Sequence, residues 1–153
     1  MVDRETFRNA LAAWASGVAV VACRTEQRVV ATTVSAFLSL SLEPPLILVA
    51  IGPNATVRPF LQPGERFGVS LLSAAQRRLA MTFADPYPVG ADPFPEHGDP
   101  LIPDSLLGLS CVVERVDAGG DHAIVIAAVD AVEGGQAAAP LIRYDRTYHA
   151  LGD

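Results

Sequence analysis

What most constrains this chain is a succession of short apolar runs, rich in β-branched residues and closed off by Gly, Pro or Asp. Val18 to Cys23 is one such run, and a polar turn from Thr25 to Arg28 separates it from the next. In Val29 to Phe37, the residues Val29, Val30, Thr32, Thr33 and Val34 crowd Cβ and favour an extended backbone. The pair reads as a hairpin. After Pro44-Pro45, Leu46 to Ile51 shows no apolar–polar alternation, the pattern of a strand buried on both faces. Arg66 to Leu72 is a further strand. In Leu109 to Val116, Leu109, Cys111 and Val113 fall on one face and Ser110, Val112 and Glu114 on the other. Gly119-Gly120 turns the chain into a long strand from His122 to Val132, which Gly134-Gly135 closes. Pro140 to Tyr144 and Tyr148 to Leu151 form a last short pair around Asp145-Arg146.

Helical signals are fewer. Asp3 can cap a first helix in which Phe7, Leu11 and Trp14 recur at i, i+4 and i+7, a stripe expected in the core, and Gly17 ends it. Asn54 is expected to cap a short helix through Leu61, stopped by Gln62-Pro63-Gly64. Ser73-Ala74-Ala75-Gln76 has the spacing of a capping box and opens a helix carrying Leu79, Met81 and Phe83. From Asp85 to Asp104, six prolines, two glycines and five acids leave no room for a regular element, and so long a loop is functional or mobile. No linker interrupts the 153 residues, so one domain spanning 1–153 is expected. About seven strands in hairpin order with three short helices predict a mainly β fold, a largely antiparallel barrel with peripheral helices.

Composition removes whole classes of function. All 11 basic residues are Arg, which excludes Schiff-base and P-loop lysine chemistry. A net charge of −6 without Lys is a poor match for nucleic acid or a polybasic membrane contact. The chain is 50% hydrophobic and 18% charged, too apolar for disorder. Its apolar stretches stop at about ten residues, against the roughly 20 of a spanning helix. The opening Met-Val-Asp-Arg-Glu-Thr has no signal-peptide pattern, so a cytoplasmic protein is expected. Cys23 and Cys111 lie in strand-like contexts and read as two reduced core thiols. His97, His122 and His149 have no metal-ligand spacing, so no metal site is expected. GxSxG, HExxH and GxGxxG are all absent.

Three segments carry possible chemistry. Thr32 to Ser41 places small hydroxyl residues densely along a strand and the bend after it. They either face water on an edge strand or line a site where a flat heteroaromatic ring approaches the backbone. Gly52-Pro53-Asn54-Ala55-Thr56 follows a strand at an expected helix start, and is either a simple N-cap or an anion site. Arg58 in the same turn opposes the helix dipole unless an anion is bound. Gly120-Asp121-His122 heads a strand, where the histidine is either solvated or functional.

In order, these pieces resemble the flavin reductase-like family of FMN-binding split barrels. The resemblance runs through Phe7-Arg8-Asn9-Ala10-Leu11, Gly17 to Val21, Thr33-Val34-Ser35-Ala36-Phe37 with Ser39-Leu40-Ser41, and Glu43-Pro44-Pro45-Leu46. It continues through Asn54-Ala55-Thr56, Phe67 to Leu72, Leu79-Ala80 with Phe83-Ala84, Gly120-Asp121-His122, and Pro140-Leu141 with Tyr144. It implies a six-stranded antiparallel Greek-key barrel, usually homodimeric, with flavin near the subunit interface. It implies hydride transfer from NADH or NADPH to FMN or FAD, supplying reduced flavin to a partner monooxygenase. The ring and ribityl chain are then expected against Thr33, Val34, Ser35 and Ala36, with Ser39, Ser41 and Ala50 in the same flavin site. The phosphate is expected at Asn54 and Thr56 with Arg58 nearby, the far end of the flavin at Phe83 and Ala84, and Tyr144 closing the pattern. His122 takes the catalytic position, facing the nicotinamide or its phosphates. Departures point to an alternative. Asp92-Pro93-Phe94 lacks the family's frequent Arg-Phe pair, Ser35 stands where Asn is common, and the loop 85–104 is unusually Pro-rich. A specialised member could keep flavin as a prosthetic group, or bind a different substrate, in a biosynthetic pathway.

Overall fold

A computed structural model of the chain describes residues 1–90, 92–135 and 137–152. Helix α1 (Arg4–Leu11) starts where Asp3 Oδ1 accepts the N–H groups of Glu5 and Thr6 at 3.0 and 2.9 Å. The strands that follow are β1 (Ser16–Gly17), β2 (Ala19–Arg24), β3 (Val29–Val34), β4 (Phe37–Leu42), β5 (Pro45–Ile51) and β6 (Arg66–Leu71). Helix α2 (Arg77–Ala84) precedes the long pair β7 (Leu107–Gly119) and β8 (His122–Gly134), and β9 (Leu141–Tyr144) and β10 (Thr147–Ala150) end the described chain. No described helix is long and apolar enough to cross a membrane.

Seven strands form one antiparallel sheet in the order β3-β2-β6-β7-β8-β5-β4, and β1, β9 and β10 form a small second sheet. The edge strands β3 and β4 are consecutive in the chain, with only Ser35 and Ala36 between them. A sheet whose two edges are joined by two residues has to curl until those edges meet. At the meeting point Ala50 of β5 donates its N–H to the Ala36 carbonyl at 3.0 Å. No ladder pairs β3 with β4, so the barrel is split along this seam. The antiparallel split barrel expected from the sequence is therefore present, with one strand more than six in its main sheet.

The barrel interior is filled by Val21, Val49, Ile51, Phe67, Val69, Cys111, Val113 and Val125. A second cluster lies outside the sheet, where Val20, Ala22 and Ala31 pack under Leu72, Ala80, Phe83, Ile102 and Leu141. Strand β2 is thus buried on both faces, as is β6 from Phe67 to Ser70. In β5 only Ile47, Val49 and Ile51 are buried, while Leu46, Leu48 and Ala50 are half-covered, contrary to the expectation for that run.

Other expectations are corrected too. Val29 to Phe37 is not one strand, because the seam breaks it at Ser35-Ala36. The stripe of α1 is not core: Phe7, Leu11 and Trp14 are 60%, 50% and 75% exposed. Asn54 caps no helix. A single 3-10 turn runs from Arg58 to Phe60, where Pro59 has no N–H to donate to the Ala55 carbonyl and the Arg58 N–H takes that acceptor at 3.1 Å. Ser73 and Gln76 do form the capping box, the Ser73 N–H donating to Gln76 Oε1 at 3.1 Å ahead of α2. Helix α2 buries Ala80 and Phe83, but Met81 is exposed.

The Pro-rich loop is irregular, as expected, but its second half is tied down. Arg24 donates to the carbonyls of Gly98 and Pro95 at 3.0 and 2.6 Å, and Arg66 grips Asp99 through two nitrogens at 2.9 and 3.4 Å. The Ile102 N–H donates to Ser70 Oγ, and Gln76 Nε2 to the Pro103 carbonyl, both at 2.8 Å. Gly68 makes this close cover possible, because a Cβ there would lie 2.5 Å from the Pro100 carbonyl oxygen.

Candidate active site

The split barrel gathers distant segments into one cleft of ≈ 460 Å³ beside the seam. The end of β3 and the seam supply Thr32, Thr33, Val34, Ser35 and Ala36. Facing them are Ala50 of β5 and the Gly52-Pro53-Asn54-Ala55 segment after it. Ala84 at the end of α2, Pro86 and His122 complete the wall. Hairpin register explains the histidine. Gly120-Asp121 is a two-residue turn with a left-handed φ of +68° at Gly120, which starts β8 at His122. Because β8 pairs with β5 and Ala123 lies opposite Ile51, His122 comes to rest beside Gly52. A Cβ on Gly52 would stand 3.6 Å from His122 Nε2.

Asp121 sets the state of that ring. His122 Nδ1 lies 2.7 Å from Asp121 Oδ1, and the contact holds the Asp121 carboxyl below the usual carboxylate range. An ionised carboxylate can only accept, so Nδ1 carries the proton and, in the neutral ring, Nε2 offers a lone pair. Arg58 stabilises the same turn, its Nη1 donating to the Asp121 carbonyl at 3.0 Å.

Of the residues singled out in the sequence, Thr33, Val34, Ser35, Ala36, Ala50, Asn54, Ala84 and His122 share the cleft. Thr56 and Phe83 line an adjoining cleft of ≈ 310 Å³ instead. The others lie apart from both. Ser39 and Ser41 pair with Ile47 and Leu46 along β4, beyond the seam. Arg58 is turned to Asp121 rather than toward Asn54. Tyr144 packs on His149 with ring centres 6.0 Å apart and lies outside both clefts. The C-terminal hairpin approaches β3 through Arg143 and Tyr148, which line a small hollow with Thr33, Val34, Ser35 and Ala84. Those two residues carried no sequence signal, since long-range ties of the hairpin to β1 and to Leu72–Ala74 carry it to β3. Thr33 also ties the cleft wall to α2. Its hydroxyl donates to the Ala80 carbonyl of α2 at 2.7 Å, so its proton holds the fold together. The Asp92-Pro93-Phe94 stretch borders the adjoining cleft, whose cation is Arg28.

The two cysteines are not poised as nucleophiles. Burial pushes the Cys23 and Cys111 thiols up to about 12, too high for a reactive thiolate. Among the described residues, no three His, Cys, Asp or Glu side chains are placed to hold a metal ion. The cleft instead suits a flat ring. Ser35, Ala36, Ala50 and Gly52 have side chains small enough for a ring to reach the backbone, and the volume lies in the range of cofactor sites.

Residues 11–152 match the flavin reductase like domain. The chain belongs to the flavin reductase-like family. It is 38% identical over 152 residues to the reductase component of 4-hydroxyphenylacetate 3-monooxygenase from Thermus thermophilus, covering 97% of each chain. It is 34% identical to the NADH-dependent flavin reductase StyB of Pseudomonas fluorescens, covering 97% of this chain and 90% of StyB. The solved structure of flavin reductase PheA2 in its native state superposes with a TM-score of 0.89 at 34% identity, covering 99% of this chain and 100% of that one.

Proposed function

We propose that this protein is an NADH:flavin oxidoreductase that transfers hydride from the nicotinamide to FMN or FAD and releases the reduced flavin to a separate monooxygenase. The observation that carries this reading is the cleft itself: the small-residue seam of β3 faces the Gly52–Ala55 segment, with His122 at its rim. The relatives' names as NADH-dependent reductases and monooxygenase reductase components support it. When bound, flavin and nicotinamide supply the hydride chemistry between them, and the protein supplies binding and orientation. Val34, Ser35 and Ala36 present backbone to the flavin ring, while Asn54 offers an amide donor toward the phosphate side. His122, held by Asp121, presents Nε2 to the nicotinamide.

The active form in this reading is a homodimer. Phe7 and Leu11 on α1, Trp14 just after it, and Leu38, Leu40 and Leu42 on β4 expose apolar surface that a second copy would cover. Two free buried thiols and a nicotinamide reductant suit the cytoplasm. The deciding experiment mixes purified protein with NADH or NADPH and FMN or FAD under anaerobic conditions. Bleaching of the flavin band with matching nicotinamide oxidation is the expected result. No oxidation above the protein-free rate with any of the pairs refutes the reading.

A further inference from the structure

Arg58 starts in the segment that carries Asn54 and ends on the turn that carries His122, so it ties two walls of the cleft together. Its footing is firm. Val57 and Leu61, on either side of the 3-10 turn, are 0% and 1% exposed within the barrel core. The Arg58 N–H donates to the Ala55 carbonyl at 3.1 Å, which fixes where the side chain begins. The side chain lines a hollow of ≈ 230 Å³ with Ile51, Leu61, Ala123 and Val125, and its Nη1 donates to the Asp121 carbonyl at 3.0 Å. The acid in that hollow, Asp117, pairs with Arg115 at 2.6 Å.

The turn that receives this bond is held by little packing. A Cβ on Gly120 would meet nothing within 4 Å, and the side chains of Asp121 and His122 are 72% and 45% exposed. The β7–β8 ladder closes at the Gly119–His122 pair, one step before the turn. The Asp121–His122 contact joins two neighbours on that turn. It fixes the ring relative to Asp121 and does not place the pair against the cleft. Arg58 supplies that tie from a separate, buried element. A charged donor on a carbonyl is a strong hydrogen bond, and a guanidinium keeps its proton at every working pH.

Resting on the reading of His122 as the group that faces the nicotinamide, we propose that Arg58 is a positioning residue for NADH. It holds the Asp121-His122 turn over the cleft and sets the affinity for the nicotinamide through His122, without itself touching dinucleotide or flavin. The cation that the sequence sets beside the phosphate segment thereby serves the nicotinamide side through a backbone carbonyl.

A double-mutant cycle tests this. Arg58→Ala should raise the KM for NADH by about three- to tenfold, the loss of one charge-assisted hydrogen bond, while the flavin dissociation constant stands. In the His122→Ala background the same substitution should add nothing, because its effect runs through the ring already removed. A second readout needs no turnover. In flavin-free protein the ring nitrogen signals of His122, assigned by their loss in His122→Ala, should move in Arg58→Ala toward those of a freely solvated imidazole. Arg58→Met keeps the stem over the hollow and removes the donor, and it takes the same measurements if the alanine variant does not fold. Additive losses in the cycle, or unmoved ring signals, overturn the proposal and make Arg58 a direct ligand or a purely structural residue. A weakened flavin dissociation constant in Arg58→Ala overturns it as well, by returning Arg58 to the flavin phosphate. A parent protein that oxidises no nicotinamide removes the reductase reading, and this inference with it. An additive cycle in an active parent removes the inference alone.

Discussion

His122 and Thr33 divide the polar work of the cleft in ways that single substitutions can separate. His122 is 45% exposed at its side chain and is held by one carboxylate, so removing it leaves no buried group without a partner. His122→Ala should raise the KM for NADH by about tenfold, the loss of one hydrogen bond, while the flavin dissociation constant changes little. Stopped-flow reduction and flavin titration measure the two separately, and equal losses in both would make His122 a structural residue. Thr33 is the opposite. Its hydroxyl bridges β3 to α2 through the Ala80 carbonyl. Thr33→Val keeps the volume and removes this strand-to-helix hydrogen bond, so it should lower unfolding free energy by about 1 kcal/mol in denaturant titration and leave flavin affinity nearly unchanged. A large loss of flavin affinity at unchanged stability would return the hydroxyl to the ligand.

Among the elements, the Pro-rich loop is the one whose attachment can be tested by pieces. Gly68 leaves no space above it, and a methyl group there must displace the Pro100 carbonyl. Gly68→Ala should therefore cost about 1–3 kcal/mol, read as a lowered Tm, with the effect concentrated on protection of the loop from proteolysis. The Arg66–Asp99 pair adds a pH signature. The Arg66 guanidinium holds the Asp99 carboxyl below the usual carboxylate range. A carboxylate with a depressed folded-state pKa stabilises the fold above its unfolded value, near 3.8, and loses that contribution as pH falls through the folded value. With the arginine half-exposed, the contribution is at most about 1 kcal/mol. Asp99→Asn should thus be less stable than the parent at neutral pH, and the gap should close below about pH 4. A gap that stays constant down to acid pH would mean the pair contributes nothing through charge.

For the whole molecule, the outward stripe of α1 bears directly on assembly. Helix α1 has no buried residue, and Phe7 and Leu11 on it, with Trp14 just after it, leave half or more of their surface open to solvent. Phe7→Glu combined with Trp14→Glu should convert a dimer to a monomer in sedimentation analysis, while the barrel core, which contains neither residue, stays folded. A parent protein that sediments as a monomer at all concentrations would refute the dimer reading.

Much of this molecule was legible in its sequence wherever the signal is local. The β-branched runs, the Asp3 cap, the Ser73–Gln76 capping box and the turns at Gly120 and Asp145-Arg146 each arise from sterics and hydrogen bonds among residues within a few positions of one another. The residues of the cleft's first wall, Thr33 to Ala36, were legible for the same reason: they are contiguous. What the tertiary structure decided is everything that depends on partners far along the chain. Apolar periodicity marks a face but not what covers it, so the α1 stripe read as core and is surface, while β2 rather than β5 is buried on both sides. Likewise a serine on β4 and an arginine after Val57 can be placed near a motif by number, yet the open seam and the β5–β8 register carry them away from the cleft. The same register brings His122 to Gly52. Side-chain chemistry is encoded residue by residue, whereas the cleft exists only because two strand edges joined by two residues are forced to meet.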